Sequence, residues 1–318
     1  MGKSGRRAGG LAILLVGVAL VAFPQFRPGD SLLTLSIYAF LAAALATSWN
    51  ILGGYAGQIN LGHAAFFGLG ALMTRRLWVE QEWPVALSLL AGGAAALLAA
   101  LLIGVPALRL RGIYFAIGTL AMAEAVRVTV ANALPIVTRL PGPQLAEYDL
   151  LPRYYLSLGV LAIAIGSAYL IRRSRLGLGM LAVREDEQAA QSVGVNVFTH
   201  KLAAFATSAF LAGLAGSAFA FFHVSYYFEL PFGPVWSFDA LLITFVGGIG
   251  SLGGPLLGAI LFVLVRDVIA KTWVDFHLIL FGVLFVVVVL VLPGGLIELW
   301  SGAVRLVTRR GTRGISGS

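Results

Sequence analysis

Three polar side chains in an apolar setting are the first residues of this chain that could do chemistry. Gln58, Asn60 and His63 lie in the glycine-rich segment Gly53–Gly70, between long hydrophobic runs. In such surroundings each group must find a hydrogen-bond partner or face water. Two interpretations stay open: the groups line a path for a solute, or they hydrogen-bond neighbouring helices to one another. His63 has no second ligand at a metal-like spacing, so no metal site is predicted.

Three ionisable residues fall inside other apolar runs. Glu124 and Arg127 are three residues apart, a spacing that puts them on one helix face where they can pair. A structural pair is the favoured interpretation, since charges at such depth are costly unless they are paired. Asp239 lies near the start of a short apolar run. A charge at such depth marks a path or a paired lock, unless the residue simply lies at the membrane interface.

Sequence motifs for catalysis are missing. The chain has no GxxxxGK(S/T) phosphate-binding loop, no HExxH, no GxSxG and no cysteine. An intramembrane enzyme is therefore disfavoured. The chain is therefore not expected to bind ATP through a phosphate-binding loop of this type.

The longest polar stretch runs from Arg172 to Leu202 and is called the polar loop below. Within it, Leu176–Ala190 is expected to form one amphipathic helix with the acidic cluster Glu185–Glu187 in its middle. Gly194 can end this helix by taking the left-handed conformation. Such a helix between two membrane spans offers a surface to a cytoplasmic partner. The open alternative is an ordinary solvated loop.

Composition indicates an all-α polytopic membrane protein. The chain is 59% hydrophobic and 11% charged, whereas soluble domains carry about 25% charged residues. About 20 apolar residues are needed to cross the bilayer core, so the run 237–249 is too short, and 55–74 is interrupted by polar residues and glycines. Both are predicted to be broken or re-entrant. The remaining runs are roughly 11–23, 31–52, 85–107, 112–133, 154–171, 202–223, 254–270 and 276–293.

The predicted organisation is one transmembrane domain over residues 1–318, with about eight to ten transmembrane or re-entrant helices. The polar loop interrupts this domain at about 172–201, and a short basic tail follows at about 305–318. Two glycine-rich blocks, Gly53–Ala71 and Gly247–Ile260, resemble each other loosely. Duplicated, glycine-interrupted segments can mark a translocation path, although composition alone could also explain the likeness.

The distribution of basic residues predicts the orientation. If the first run starts inside, fourteen of the 22 basic residues lie in inside loops or tails. By the positive-inside rule, both termini and the polar loop are then cytoplasmic. The net charge of +8 is explained in this way without nucleic acid as a partner. The inside set is Lys3, Arg6, Arg7, Arg109, Arg111, Arg172, Arg173, Arg175, Arg184, Lys201, Arg305, Arg309, Arg310 and Arg313.

The polar loop resembles the EAA loop of bacterial ABC importer permeases, which docks as a coupling helix into a cleft on the ATPase subunit. The similarity lies in two alanines and a glycine after an acidic cluster, although Gln188 stands where the general pattern has Glu. This resemblance implies that small residues allow close approach while charges fix the orientation. The implied coupling residues are Arg184, Glu185, Asp186, Glu187, Ala189, Ala190 and Gly194.

Four blocks resemble one family, the LivM-type permease subunits of branched-chain amino acid ABC importers. They are SWNILGGYAGQINLGHAAFFGLGA (Ser48–Ala71), RGIYFAIGTLAMAE (Arg111–Glu124), the stretch Arg184–Phe222, and SFDALLITFVGGIGSLGGPLLGA (Ser237–Ala259). The resemblance implies a multi-pass permease of the bacterial inner membrane. Implied partners are a second homologous permease, two ATPase subunits, a periplasmic binding protein and membrane lipid. ATP and Mg would be bound by the ATPases, with no cofactor in this chain.

Two alternatives to this function remain. A related permease could import urea, amides or another small polar or aromatic substrate. A more distant alternative is an ion-coupled secondary transporter, which needs ionisable groups at the membrane midplane. The candidate residues of the translocation path are Gln58, Asn60, His63 and Asp239.

Overall fold

The chain folds into a helical bundle, described by a computed structural model for residues 15–134, 137–272, 282–283 and 295–298. Two short strands, β1 (Val137–Arg139) and β2 (Ser225–Tyr227), pair antiparallel between the helices. The described helices are α1 (Leu15–Phe26), α2 (Asp30–Asn50), α3 (His63–Arg75), α4 (Val85–Ala107), α5 (Ile113–Ala133), α6 (Gly142–Ala146), α7 (Leu150–Arg173), α8 (Arg175–Glu185), α9 (Glu187–Ser192), α10 (Val197–Phe222), α11 (Val235–Gly247) and α12 (Gly254–Thr272).

Five of the described helices are long and apolar enough to cross a bilayer: α2 with its extension to Tyr55, α4, α5, α7 and α10. Helix α11 has 13 residues, and α3 has 13 residues followed by a π-helical turn of 5, Arg76–Glu80. Both therefore fall short of a full span, as the interrupted runs 55–74 and 237–249 predict. These findings confirm an all-α polytopic architecture. The predicted run 276–293, apart from two residues, and the basic tail lie outside the described residues.

Helix α10 is the centre of the bundle and packs against α2, α3, α4 and α7. Its alanines, glycines and serines let neighbouring backbones come close. A Cβ atom on Gly216 would overlap the carbonyl group of Phe67 in α3, and one on Gly70 would overlap the backbone of Gly213 in α10. Because lipid tails are as apolar as leucine, close packing of small residues drives helix association in membranes.

Two arginines hold the carboxyl end of α10, which we call the far end of the bundle. Arg75 donates to the carbonyl oxygens of Ala220, His223 and Val224 at 3.1, 3.0 and 2.7 Å. Arg153 of α7 donates to the carbonyl oxygen of Phe221 at 3.1 Å. The carbonyls of Ala220 and Phe221 belong to the last turn of α10, where the helix itself supplies no donor, and His223 and Val224 follow directly after it. The arginine side chains therefore satisfy a helix end that would otherwise be buried unpaired.

Candidate functional site

The polar loop folds into two helices, not the single helix predicted over Leu176–Ala190. Helix α8 ends at Glu185, and Asp186 takes an extended conformation with φ −158° and ψ 117°. Its Oδ1 accepts hydrogen bonds from the backbone N–H groups of Gln188 and Ala189 at 2.8 and 3.0 Å. The prediction of a mid-helix acidic cluster was wrong, because Asp186 competes with the backbone as an N-cap and starts α9.

Gly194 ends α9 in the manner expected from the sequence. Its φ is +88°, and the N–H of Val195 donates to the carbonyl of Ala190 at 3.0 Å. The N–H of Gly194 donates to the carbonyl of Gln191, also at 3.0 Å. This pair of bonds is a Schellman motif, which favours glycine at the left-handed position. The predicted left-handed cap is therefore confirmed.

One face of α9 is exposed and the other is anchored. Gln188, Ala189 and Val193 are exposed, whereas Ala190 is buried. Beside them, a cavity of about 600 Å³ opens between α9, the start of α10 and the α4–α5 turn with Arg109 and Arg111. The loop thus presents small side chains at the rim of a charged depression.

An ion pair anchors α9 to α10. The Nζ of Lys201 contacts the Oε1 of Glu187, and the lysine side chain is 4% exposed. The sequence placed Lys201 among the solvated inside charges, but it lies within α10 and is buried. A buried lysine is stabilised only when it is paired. The contact therefore ties α9 to the central helix.

Arg184 connects the polar loop to the first glycine-rich block. Its Nη1 donates to the carbonyl oxygen of Gly54 at 2.6 Å. Gly54 belongs to the π-helical turn Ile51–Tyr55 that follows α2. A Cβ on Gly250, which has φ +75°, would lie 2.5 Å from the same Nη1 atom. The side chain therefore sits where the two glycine-rich blocks meet.

Asn50, at the end of α2 just before the first block, binds the second block. Its Oδ1 accepts from the N–H of Gly250 at 2.8 Å, and its Nδ2 donates to the carbonyl of Ser251 at 2.8 Å. The blocks that resemble each other in sequence are thus neighbours at the end of the bundle that carries the polar loop, called the loop end. The sequence analysis did not single out Asn50. A local signal was available, since it is an amide directly before a glycine-rich break.

Asn60 and His63 lie in a buried hydrogen-bonded network. His63 Nε2 is 2.8 Å from Ser48 Oγ, and His63 Nδ1 is 3.4 Å from Asn60 Nδ2. The carbonyl of Asn60 accepts from Trp49 Nε1 at 2.8 Å. The network ties α2 to the start of α3, as the interhelical interpretation of these residues describes. Gln58 is also buried and donates to the carbonyl of Ala56 at 3.3 Å.

The remaining candidate charges are paired. Arg127 donates from Nε to Glu124 Oε2 at 2.9 Å, and its Nη1 lies 3.6 Å from Glu229 Oε2. The predicted Glu124–Arg127 pair is therefore present. Asp239 Oδ2 lies 3.3 Å from Arg266 Nη1 on α12. Unlike the Asn60 network, this second pair faces a cavity of about 430 Å³ at the far end, between α2, α10, α11 and α12.

Comparison with known proteins gives consistent results. The permease protein LivM of the high-affinity branched-chain amino acid transport system of Salmonella typhimurium is 29% identical over 91% of this chain and 74% of its own length. LivM of Escherichia coli is also 29% identical, over 91% of this chain and 75% of its own length. No solved structure matches. The family model described as "Branched-chain amino acid transport system / permease component" matches residues 31–289.

A match of that extent identifies a transport subunit and not an enzyme. ATP hydrolysis in such importers belongs to partner subunits, so the chain works with an ATPase and other components. The several apolar helices agree with a multi-pass protein of the inner membrane. The chain belongs to the family of permease components of branched-chain amino acid ABC transporters.

Proposed function

We propose that this chain imports branched-chain amino acids as one of two homologous permease subunits, with two ATPases and a periplasmic binding protein. The chain forms the translocation path together with the second permease, and ATP with Mg is bound by the ATPases. Support for the substrate comes from the LivM relatives. The observation that carries the coupling role is the exposed, small-residue face of α9, anchored to the central helix.

The proposed orientation puts the polar loop and both termini in the cytoplasm. The positive-inside rule supports it. Burial supports this orientation further, because two basic residues that do not belong to the inside set, Arg75 and Arg153, are 1% and 3% exposed and bind the end of α10. A reporter active only in the periplasm, fused after Ser318, is expected to be silent. Strong activity there would reverse the orientation and remove the coupling role of the loop.

The proposed coupling mechanism starts at α9. Closure of the ATPases on ATP moves α9, which is held to α10 by Glu187 and Lys201. The same movement pulls Arg184, whose hydrogen bond to Gly54 reaches the glycine-rich junction. When this junction opens and closes, the path alternates between the two sides of the membrane. Energy enters through the partner, so this chain moves substrate without hydrolysing ATP.

The proposed path runs past the candidate residues predicted from the sequence. Asp239 faces the far-end cavity. Gln58, Asn60 and His63 are buried at the loop end, where the path has to be closed while the far end is open. Their hydrogen bonds then act as part of the inner gate. Asn60→Leu is expected to lower uptake while the complex still assembles; loss of assembly would assign Asn60 a purely structural role.

Co-purification combined with uptake tests the whole proposal. A tagged chain is expected to bring down an ATPase and a second permease. In proteoliposomes with the binding protein, uptake of labelled leucine should require ATP and resist an ionophore. Uptake of urea or an amide instead would keep the family and change the substrate. Uptake that survives without ATP and collapses with the ionophore would indicate an ion-coupled transporter.

A further inference from the structure

The far-end cavity has an amphiphilic lining. Its volume of about 430 Å³ falls in the range of small-molecule pockets. It opens between α2 and α11, the helices whose other ends are bridged at the loop end by Asn50. The space between them is therefore accessible at the far end and bridged at the loop end, as required of a compartment that receives a solute from one side.

A charged pair forms one part of this lining. Asp239 Oδ2 and Arg266 Nη1 are 3.3 Å apart, with 15% of the aspartate side chain and 57% of the arginine side chain exposed. A well-formed arginine–carboxylate pair is bidentate and shorter, at about 2.7–2.9 Å. Among the described residues, Asp239 and Arg266 make a single contact with each other, and at 3.3 Å it is longer than that range. It can therefore open without losing an optimal interaction.

Aliphatic and aromatic side chains form the other part. Leu41, Leu45, Ile243, Phe262 and Val263 line the same cavity. Three further polar residues, Asp267, Tyr38 and His223, also line the cavity. The hydroxyl of Tyr38 lies 3.3 Å from His223 Nε2. Two carboxylates, Asp239 and Asp267, and one guanidinium, Arg266, thus lie at the edge of an apolar surface.

We propose that this cavity binds a zwitterionic aliphatic α-amino acid, with its ammonium group at Asp239, its carboxylate at Arg266 and its side chain against the apolar wall. The assignment rests on the proposed function and names the substrate contacts within this chain. The ligand replaces one long contact by two charge-assisted ones and leaves the net charge of the cavity unchanged. A neutral solute such as urea offers no such exchange, since it cannot compensate either separated charge.

Equilibrium binding of labelled leucine to the purified transporter, assembled without its binding protein, tests the assignment. Asp239→Asn and Arg266→Gln preserve side-chain size and remove one charge each. Because a charge-assisted hydrogen bond contributes about 1.5–3 kcal/mol, each variant is expected to weaken leucine binding about ten- to a hundredfold. Asp30→Asn is the matched control, because Asp30 is an exposed carboxylate at the far-end start of α2.

Two leucine analogues separate the roles of the charges. Isopentylamine lacks the carboxylate, so its weaker binding should depend on Asp239 and not on Arg266. The reverse is expected for 4-methylpentanoate, which lacks the ammonium group. The two analogues can also be tested on the unmodified protein. There, both should compete with labelled leucine at least about tenfold less well than unlabelled leucine does. Equal competition by all three would overturn the assignment even if neither variant assembled.

Failure of this inference can be told apart from failure of the proposed function. If the unmodified transporter takes up leucine with ATP but both variants bind it normally, the pair is structural and only the zwitterion site is overturned. If the unmodified transporter imports another class of solute, the proposed substrate fails and the site fails with it.

Discussion

Arginine side chains hold both ends of the bundle, but they do so with different numbers of hydrogen bonds. At the far end, Arg75 is 1% exposed and donates four hydrogen bonds, three of them to backbone carbonyls at the end of α10. At the loop end, Arg184 is exposed and, among the described residues, donates one hydrogen bond, to Gly54. The first arrangement fixes a helix end; the second can break without leaving a buried charge.

The difference separates a rigid part of the molecule from an adjustable one. A buried, multiply bonded guanidinium costs several kcal/mol to disrupt. An exposed single contact contributes about 1 kcal/mol or less. We infer that conformational change in this chain is concentrated at the loop end, where the glycine-rich blocks and the polar loop meet.

The largest expected effect is at the far end. Arg75→Met removes four hydrogen bonds, two of them to the buried Thr138 hydroxyl and Ala220 carbonyl, so the folded state should lose about 1–3 kcal/mol for each buried group left unpaired. We expect little assembled protein in the membrane and a lower melting temperature in detergent. Arg139→Met removes an exposed arginine nearby and should melt like the unmodified chain. If the two variants behaved alike, the far end would not be a rigid anchor.

Gly194→Val tests the loop end. No atom lies within 4 Å of the added Cβ, so the cost comes from φ +88° alone and amounts to about 1–2 kcal/mol. This strain lowers the population of the capped α9 about 5- to 30-fold. Normal membrane levels with a matching loss of substrate-stimulated ATP hydrolysis are expected. Asn tolerates the left-handed region, so Gly194→Asn should keep most activity; full stimulation with valine would remove α9 from the coupling mechanism.

Arg184→Gln should weaken the coupling between ATP hydrolysis and transport, with a smaller effect than Gly194→Val. Because the residue is exposed, loss of its bond to Gly54 costs about 1 kcal/mol, and the chain should fold normally. We expect several-fold less transport per ATP hydrolysed, measured in proteoliposomes. Arg175→Gln, another exposed arginine of the polar loop, serves as the control. An unchanged transport-to-ATP ratio in Arg184→Gln would mean that force reaches the glycine-rich junction by another contact.

The smallest effect is expected for Glu124→Gln. Its carboxylate is 43% exposed and pairs with Arg127, which also lies 3.6 Å from Glu229. Arg127 keeps its contact with Glu229 in this variant, so the melting temperature should fall by a few degrees at most. Glu229→Gln should give a similar shift. Loss of uptake in a normally folded Glu124→Gln protein would instead place Glu124 in the translocation path.

Local rules account for the features that the sequence predicts well. The left-handed position of Gly194, the pairing of Glu124 with Arg127 and the short helix α11 each depend on residues only a few positions apart. The break at Asp186 is local as well, but the sequence alone does not decide it. An aspartate between helix-forming residues can either continue the helix or cap a new one. Here Asp186 caps a new helix, α9.

Distant partners explain what the sequence does not reveal. Arg75 binds carbonyls about 145 to 149 positions away, and Ser208 donates to the carbonyl of Ser48 across 160 positions. Counting charges by loop treats Arg75, Arg153 and Lys201 as solvated, although all three are buried. Their burial follows from the position of α10 in the bundle, which no pattern within a few residues encodes.

That position also has a consequence for biosynthesis. Helices α3 and α4 are made before α10, whose glycine-lined backbone packs between them. About 90 residues separate the end of α4 from the start of α10, which corresponds to roughly 5–20 s of translation. During this interval the early helices expose their small-residue faces to lipid or to the insertion machinery. A nascent chain truncated before Val197 should therefore be recognised and degraded by membrane quality-control proteases, whereas one extended past Phe222 should be spared.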